Sequence, residues 1–287
     1  MSKLLVFGHQ NPDTDTIASA IALSYLNNEL SYESEAVALG EPNEETKYAL
    51  DYFRVDPPRV IKTAANEVEN VILVDHNEAQ QSVSDINKVT VKAVVDHHRI
   101  ANFETADPLY YRAEPVGSTA TILLKIFKEY EVDLPSHIAG LLLSAIVSDT
   151  LLLKSPTCTT EDVRAAGELA ELAGVSLDEY GFKMLRAGTD ITSKTAREIL
   201  NDDAKSFEMA GENVRIGQVN VVDVNDVLDR KDEILEAIRQ ETREYDYDLY
   251  VLLVTDIIEN NSVAVVDGPA YRQFEMAFNK QIGRAHV

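Results

Sequence analysis

The chain has little cysteine, no tryptophan, few basic residues and no long apolar run. Cys158 is the one cysteine among 287 residues, so no internal disulfide can form. No apolar stretch approaches the length of a membrane span, which is roughly 20 residues. Lysine and arginine number 26 against 49 aspartates and glutamates, and the formal net charge is −23. The sequence is therefore that of an acidic protein without disulfide or membrane-span signals.

Each of these absences excludes a class of function. A single cysteine is typical of the reducing cytoplasm, and a strand pattern that begins near Lys3 leaves no room for a signal peptide. Proteins that hold long nucleic acid through its backbone carry a basic surface, which this composition cannot supply. We therefore expect a cytoplasmic protein with no nucleic-acid partner and no membrane partner.

The first half of the sequence alternates strand-like and helix-like segments. Short apolar runs predict strands at LLVF, VILV and AVV, and helical spacing predicts helices from near Asp15 and over EETKYALDYF. This alternation favours a mainly parallel sheet flanked by helices. A helical region is predicted from Gly117 to about Leu185, and Gly117-Ser118-Thr119 provides the cap of its first helix.

A polar stretch, RAGTDITSKT at residues 186–195, separates two patterned regions and predicts a domain boundary. We expect a first domain over residues 1–188, a linker over 189–195 and a smaller α/β domain of mixed sheet over 196–281. In that domain, DDAKSFEMA and VRIGQVNVVD predict a strand pair, and residues 224–245 predict one charged amphipathic helix. LYVLLVTDII and SVAVVD predict two further strands.

The last six residues, IGRAHV, complete no helix or strand. Codons for these residues can reproduce the start of a common sequencing adapter. We therefore expect residues 282–287 to be non-native and the natural C-terminus to be missing.

Acidic residues and histidines gather where the predicted strands and one predicted helix end. They are His9, Asp13 and Asp15 after LLVF, Asp75 after VILV, Asp96-His97-His98 after AVV, and Asp149 at the end of SHIAGLLLSAIVSD. Ligands of open α/β sheets bind at the carboxyl ends of strands, so these residues are expected to converge. Carboxylate and imidazole groups suit a divalent ion such as Mn²⁺, Mg²⁺, Fe²⁺, Co²⁺ or Zn²⁺. The set is too large for one ion. Two ions that share a carboxylate are typical of enzymes that catalyse nucleophilic attack on phosphorus.

Most of these residues also have an ordinary structural explanation. Asp13 is a good helix cap, and Asp75 alone is equally typical of a loop at a strand end. Two adjacent histidines after a buried strand are less common. Asp149 has the wrong sign for the negative end of a helix, which indicates compensation by a cation. The combination favours a metal site.

The motifs GHQNPDTDT, ILVDHNE, DHH, EPVGSTAT, SDTLLLKSPTCT and DDAKSF identify a family resemblance. Through them the chain resembles the DHH phosphoesterase superfamily and, within it, the family II manganese-dependent inorganic pyrophosphatases. The resemblance covers residues 1–280. It implies that the first domain binds the metals and that the second, of the DHHA2 type, binds substrate.

The resemblance also implies roles for individual residues. One ion would be bound by His9, Asp13 and Asp75, and the other by Asp15, Asp75, His97 and Asp149. His98 and Lys205 would contact phosphate oxygens of the substrate, although Lys205 alone would be taken for an exposed lysine. Asp96 is expected to support His97. Two Mn²⁺ ions are implied, with Co²⁺ as a substitute, together with Mg²⁺ that accompanies the substrate, and a homodimer.

The implied reaction is hydrolysis of inorganic pyrophosphate to two orthophosphates by a water or hydroxide that bridges the two metals. One alternative is another DHH phosphoesterase, acting on short oligonucleotides, cyclic dinucleotide products or polyphosphate. The other is a metal-binding but inactive truncated fragment. This last alternative arises because members of the family carry a basic Ser-Arg-Lys-Lys-Gln-type clamp near the C-terminus, whereas this chain ends in NKQIGRAHV.

Overall fold

The structure is a computed structural model that describes residues 3–259 and 261–278 of the chain. It falls into two units that divide between Gly188 and Thr189. The predictions for residues 282–287 and for a C-terminal clamp lie outside the described residues. No helix in the described ranges is long and apolar enough to cross a membrane. The cytoplasmic location stays a prediction from the sequence.

The first unit is built on a parallel sheet. Its strands are β1 (Leu4–Phe7), β2 (Ser34–Ala36), β3 (Asn70–Val74), β4 (Thr90–Asp96) and β5 (Tyr110–Ala113). The five strands lie in the order β2-β1-β3-β4-β5, and every neighbouring pair is parallel. Parallel neighbours cannot be joined by a tight turn, so the chain must cross over between them. The helical segments seen in the sequence supply the first of these crossovers.

Six helices belong to the described part of this unit. They are α1 (Thr14–Glu29), α2 (Glu44–Phe53), α3 (Thr119–Glu129), α4 (Ser136–Asp149), α5 (Thr160–Ala173) and α6 (Leu177–Gly188), with short 3₁₀ turns at Ala79–Gln81 and Ile86–Lys88. Helices α1 and α3 contact the sheet, and α4 packs against α1 and α5. The nearly all-apolar α4 is buried along most of its length, because helices surround it.

The two faces of the first sheet are covered differently. The helices described above cover one face. On the other, side chains such as Leu5, Phe7 and Leu73 pack with Ile61 and Val83 of the connecting segments. Apolar strands buried on both faces read as short continuous apolar runs, which is the pattern of LLVF and VILV.

The second unit contains a smaller mixed sheet. Its strands are β6 (Asp203–Met209), β7 (Glu212–Val221), β8 (Leu249–Asp256) and β9 (Asn261–Asp267), and its helices are α7 (Ala196–Leu200), α8 (Asn225–Leu228), α9 (Lys231–Tyr245) and α10 (Tyr271–Ala277). The pairs β6–β7 and β8–β9 are antiparallel, whereas β7–β8 is parallel. Ile191, from the segment predicted as a linker, packs in the core of this unit. The predicted fold class is confirmed in both units.

Several elements differ from the sequence prediction. Strand β5 and helices α7 and α10 have no counterpart in it, and the single helix predicted over residues 224–245 is divided into α8 and α9. The division falls at Arg230, whose guanidinium donates to the carbonyl oxygens of Ile191 and Lys194 at 3.3 and 2.9 Å. These contacts come from outside the segment, so its own periodicity does not reveal them.

Candidate metal centre

The predicted ligands converge at the carboxyl ends of three neighbouring strands. His9 lies two residues after β1, Asp75 directly follows β3, and His97 directly follows β4. Because β1, β3 and β4 are adjacent and parallel, their ends share one edge of the sheet. Asp149 reaches the same edge as the last residue of α4. Residues separated by up to 140 positions therefore form one cluster within the first unit.

Asp75 lies at the centre of the cluster. Its amide donates to the Val95 carbonyl at 2.9 Å, which ties it to β4, and its φ of 57° is in the left-handed region. One carboxylate oxygen, Oδ2, lies 3.5 Å from His9 Nε2, and the other, Oδ1, lies 3.4 Å from His97 Nε2. Thr16 Oγ1 donates to Oδ2 at 2.7 Å and fixes the orientation of the carboxylate. The two oxygens of one buried side chain therefore face two different histidines.

The first group of candidate ligands is His9, Asp13 and Asp75, whose donor atoms all lie within 4.8 Å of one another. Asp13 has two roles. Its Oδ1 accepts from the Thr16 amide at 2.9 Å and caps α1, while its Oδ2 lies 3.4 Å from His9 Nε2. The capping explanation of this residue and the ligand explanation are therefore compatible, since each uses a different oxygen.

The second group is Asp15, His97 and Asp149, with donor atoms within the same 4.8 Å limit. Asp15 is buried and accepts from the Thr119 amide at 2.6 Å. His97 Nδ1 lies 3.0 Å from the Val116 carbonyl, so the N–H on that nitrogen leaves the Nε2 lone pair to face the cluster. Asp149 Oδ2 is buried and has no hydrogen-bond partner among the described residues.

The donor set fits divalent cations. Nitrogen–oxygen separations of 3.4 and 3.5 Å around Asp75 are too long for hydrogen bonds. Two ligand atoms bound to one ion at about 2.1 Å lie about 3.0–3.4 Å apart in octahedral or tetrahedral geometry. A buried carboxylate oxygen without a donor, as in Asp149, needs a cation or a proton. Both observations are those expected of a metal site.

Burial and mutual repulsion raise the pKa values of the two carboxylates in the second group. Burial raises the pKa of Asp15, and the negative charge of Asp75 raises it further. The pKa of Asp149 lies well above its ordinary value, through burial and then through the charges of Asp15 and Asp75. Without cations, this group can relieve its repulsion only by binding protons.

The pKa values of the two histidines are raised as well. Burial alone would lower the pKa of His9, but the neighbouring carboxylates of Asp13 and Asp75 outweigh it and raise the pKa to about 10. For His97, burial is again outweighed, by Asp75 and then Asp15, and the pKa rises to about 9. Both imidazoles are therefore protonated on both nitrogens, and positively charged, at neutral pH when no ion is bound.

Metal binding should release those protons. A metal ligand must be a neutral imidazole, so Mn²⁺ has to displace the protons of His9 and His97 at any pH below about 9. We expect the apparent affinity for Mn²⁺ to rise roughly tenfold per pH unit for each proton displaced between about pH 7 and 8. Titration of metal-free protein with MnCl₂ in weak buffer with a pH indicator measures the release. An affinity that is independent of pH, without acidification, would contradict the assignment.

His98 and Asp96 form a separate pair beside the cluster. Asp96 Oδ1 lies 2.9 Å from His98 Nδ1, and its Oδ2 accepts from Asn77 Nδ2 at 2.6 Å. The expectation that Asp96 supports His97 is wrong, because the Val116 carbonyl holds that ring instead. The donor atoms of His98, Asp75 and His97 also lie within 4.8 Å of one another, and His98 Nδ1 is 3.7 Å from Asp75 Oδ1. The bond of this nitrogen to Asp96 makes it a poor metal ligand.

Lys205 belongs to the second unit, where it is exposed on β6. A cavity of about 460 Å³ in the first unit borders the cluster, and its lining includes His9, His98, Asn77, Gln81 and Arg99. The cavity can therefore admit a small anion to the side of the cluster formed by His9 and His98.

Sequence reasoning missed the hydroxyls that orient the carboxylates and a strained turn beside Asp149. Thr119 Oγ1 donates to Asp75 at 3.2 Å, and Ser19 Oγ donates to Asp15 at 2.7 Å. Leu151, Leu152 and Leu153 have φ values of 48, 54 and 65°. Left-handed leucines cost roughly 1–2 kcal/mol each, and strain of this kind gathers at functional sites. No property of TLLLK in the sequence signals that backbone.

Comparison with known proteins agrees with this arrangement. Residues 3–146 match the model of the DHH family N-terminal domain, and residues 183–286 match that of the DHHA2 domain. The fold and the cluster of aspartates and histidines therefore define a DHH protein with both of its domains.

Individual relatives indicate which group of DHH proteins the chain belongs to. A Bacillus subtilis manganese-dependent inorganic pyrophosphatase is 57% identical over 97% of this chain and 90% of its own length. A Shouchella clausii protein named "Probable manganese-dependent inorganic pyrophosphatase" is 61% identical over 97% of this chain and 89% of its own length. A solved Methanococcus jannaschii structure, assigned as a family II inorganic pyrophosphatase, superposes with a TM-score of 0.68 at 39% identity, covering 99% of this chain and 92% of that one. The chain belongs to the family of manganese-dependent inorganic pyrophosphatases.

Proposed function

We propose that this chain hydrolyses inorganic pyrophosphate to two orthophosphates with the help of two divalent metal ions held in the first unit. The observation that carries the proposal is the position of Asp75, whose two carboxylate oxygens face the two separate ligand groups. Paired ions that share a carboxylate are the usual arrangement for in-line displacement at phosphorus. Membership in the pyrophosphatase family supports pyrophosphate as the substrate.

The ligand assignment follows the two groups. We assign one ion to His9, Asp13 and Asp75, and the other to Asp15, Asp75, His97 and Asp149. The names of the relatives support Mn²⁺ as the metal. We propose two Mn²⁺ ions, with Co²⁺ as a substitute because it accepts the same mixture of ligands, and Mg²⁺ arriving with the substrate. When bound, such ions lower the pKa of water and neutralise charge on the phosphates.

The remaining residues act on the substrate. Asp96 accepts a hydrogen bond from His98 Nδ1, which raises the pKa of His98 against the opposing effect of burial. This bond orients His98 and favours its charged form, and we assign His98 to donate to a phosphate oxygen. Lys205 is assigned a similar contact from the second unit, where its exposed ammonium is a point charge in a strongly acidic protein. The metal-binding and substrate-binding domains are thus assigned to residues 1–188 and 196–281.

Phosphate release distinguishes this proposal from the alternatives. Purified protein loaded with Mn²⁺ should release orthophosphate from pyrophosphate and leave a dinucleotide or a long polyphosphate intact. Cleavage of the dinucleotide or polyphosphate in preference to pyrophosphate would replace the proposal by another DHH phosphoesterase activity. Tight Mn²⁺ binding without any hydrolysis would indicate the inactive fragment.

The edge of the first sheet supports a proposed homodimer. Strand β5 is the last strand of that sheet, and its Tyr110 is 46% exposed. Exposed edge strands pair readily with another chain, and a second copy would cover this edge. Sedimentation at micromolar concentration should give the mass of two chains, and a monomer mass would refute the dimer.

A further inference from the structure

Asp162 is a fully buried carboxylate outside the metal cluster. It lies in the first turn of α5, and each of its four acceptor contacts is short. Its Oδ2 accepts from the Gly117 amide at 2.8 Å and from the Thr159 amide and hydroxyl at 2.7 and 2.6 Å. Its Oδ1 accepts from Thr121 Oγ1 at 2.6 Å. Burial would raise the pKa of Asp162, but the bonds from Thr121 and Thr159 outweigh it and lower the pKa. The side chain is therefore ionised and fully satisfied.

Capping of α5 accounts for only part of this arrangement. Asp162 and Thr159 form a capping box, in which side chain and backbone exchange bonds at a helix start. The second unit contains the same box at Thr195 and Glu198, but there the carboxylate is exposed and accepts from the amide and hydroxyl of Thr195 within the box. Asp162 additionally reaches Gly117 and Thr121, which are 45 and 41 residues away. Local capping does not require those two contacts.

The two distant contacts bracket the backbone that holds Asp15. Between Gly117 and Thr121, the Thr119 amide donates to Asp15 Oδ2 at 2.6 Å and the Ala120 amide donates to Oδ1 at 3.2 Å. Both oxygens of Asp15 are thus oriented by the first turn of α3, where the helix dipole favours a carboxylate. Asp162 in turn fixes the residues on either side of these two amides.

Packing around Gly117 leaves no room for a side chain at this position. A Cβ atom at Gly117 would lie 2.8 Å from Thr150 Cγ2 and 2.9 Å from Asp162 Oδ2, both closer than real contacts. Thr150 directly follows the predicted ligand Asp149. The start of α3 is therefore packed between Asp162 and the residue after Asp149.

We infer that Asp162 is a positioning residue for the ion bound by Asp15, His97 and Asp149, acting through Gly117, Thr121 and the first turn of α3. The inference rests on the proposed function in that Asp15 is taken as a metal ligand. Outer partners that orient ligands typically change metal affinity 10- to 100-fold when removed. A residue that merely caps α5 would change stability and leave affinity unaltered.

Mn²⁺ titration of metal-free protein tests the inference without relying on activity. Wild type should bind two ions, and the binding step lost in His97→Ala identifies the ion on the Asp15 side. Asp162→Ala should weaken that step by about 10- to 100-fold. Asp162→Asn should stay within about threefold of wild type, because three of the four donors converge on Oδ2, a position its amide oxygen can occupy.

Two further variants separate positioning from folding. Glu198→Ala, which breaks the matching capping box of the second unit, should lower stability and leave both Mn²⁺ steps unchanged. Thr121→Val removes one donor to Asp162 and leaves the α5 box intact, so it should weaken the same step at least ~threefold even if Asp162→Ala does not fold. Wild-type Mn²⁺ affinity in Thr121→Val would overturn the inference if Asp162→Ala either does not fold or also binds with wild-type affinity. A wild type that binds fewer than two ions would instead refute the proposed function.

Discussion

Asp75→Asn is expected to lower pyrophosphate hydrolysis by about 10³-fold or more and to reduce bound Mn²⁺ from two ions to at most one. An amide offers one oxygen where the carboxylate offers two, and the two oxygens of Asp75 face His9 and His97 separately. Asparagine tolerates a positive φ, so the left-handed backbone at this position should persist. The measurements are the phosphate release rate and the count of Mn²⁺ per chain.

The matched control for this change is Asp246→Asn. Asp246 also has a left-handed backbone, with φ of 54°, but it ends α9 in the second unit. The same chemical change in the same backbone conformation should leave hydrolysis and the Mn²⁺ count at wild-type values. Equal losses in the two variants would mean that the effect at Asp75 is one of folding, and retention of both ions in Asp75→Asn would contradict a shared carboxylate.

Asp149→Asn is expected to change stability and metal binding in opposite directions. The pKa of Asp149 in the folded metal-free protein lies above its value in the unfolded chain, because the side chain is buried next to Asp15 and Asp75. The folded state then holds a proton that the unfolded chain releases, so stability falls as pH rises above the unfolded value. Asparagine cannot ionise, so the variant does not lose stability in this way as the pH rises.

At about pH 8 the metal-free Asp149→Asn protein should therefore melt a few degrees above metal-free wild type, roughly 2–4 °C for a gain of about 1 kcal/mol. Adding Mn²⁺ should raise the melting temperature of wild type far more than that of the variant, since the variant lacks one ligand. Melting curves with and without Mn²⁺ measure both effects. The metal-free variant could instead melt below metal-free wild type, with Mn²⁺ raising both melting temperatures equally. That result would show that Asp149 is a structural residue.

The sequence predicted the centre of the fold and of the site because both depend on local signals. Buried parallel strands are short apolar runs, and Asp75 and His97 lie next to the ends of two of them. Strand order alone then brings those ends together. The sequence indicates Asp149 as a candidate ligand because an aspartate at the end of an apolar helix is electrostatically unfavourable without a partner.

The parts that the sequence did not reveal depend on contacts between distant segments. Strand β5 is a short edge strand with no fully buried residue, so it lacks an apolar run. Asp96 was expected beside His97, but the backbone turn after β4 brings it to His98. Asp162 resembles an ordinary capping residue until the fold places Gly117 and Thr121 beside it. The roles of individual site residues remain predictions for the experiments above.

The most direct test of the account is electron paramagnetic resonance of the protein titrated with Mn²⁺. Two ions that share the carboxylate of Asp75 would lie about 3.5–4 Å apart, close enough for magnetic coupling. We expect two Mn²⁺ per chain and a coupled spectrum that disappears in Asp75→Asn. One ion per chain, or two ions with uncoupled spectra, would contradict a shared-carboxylate centre.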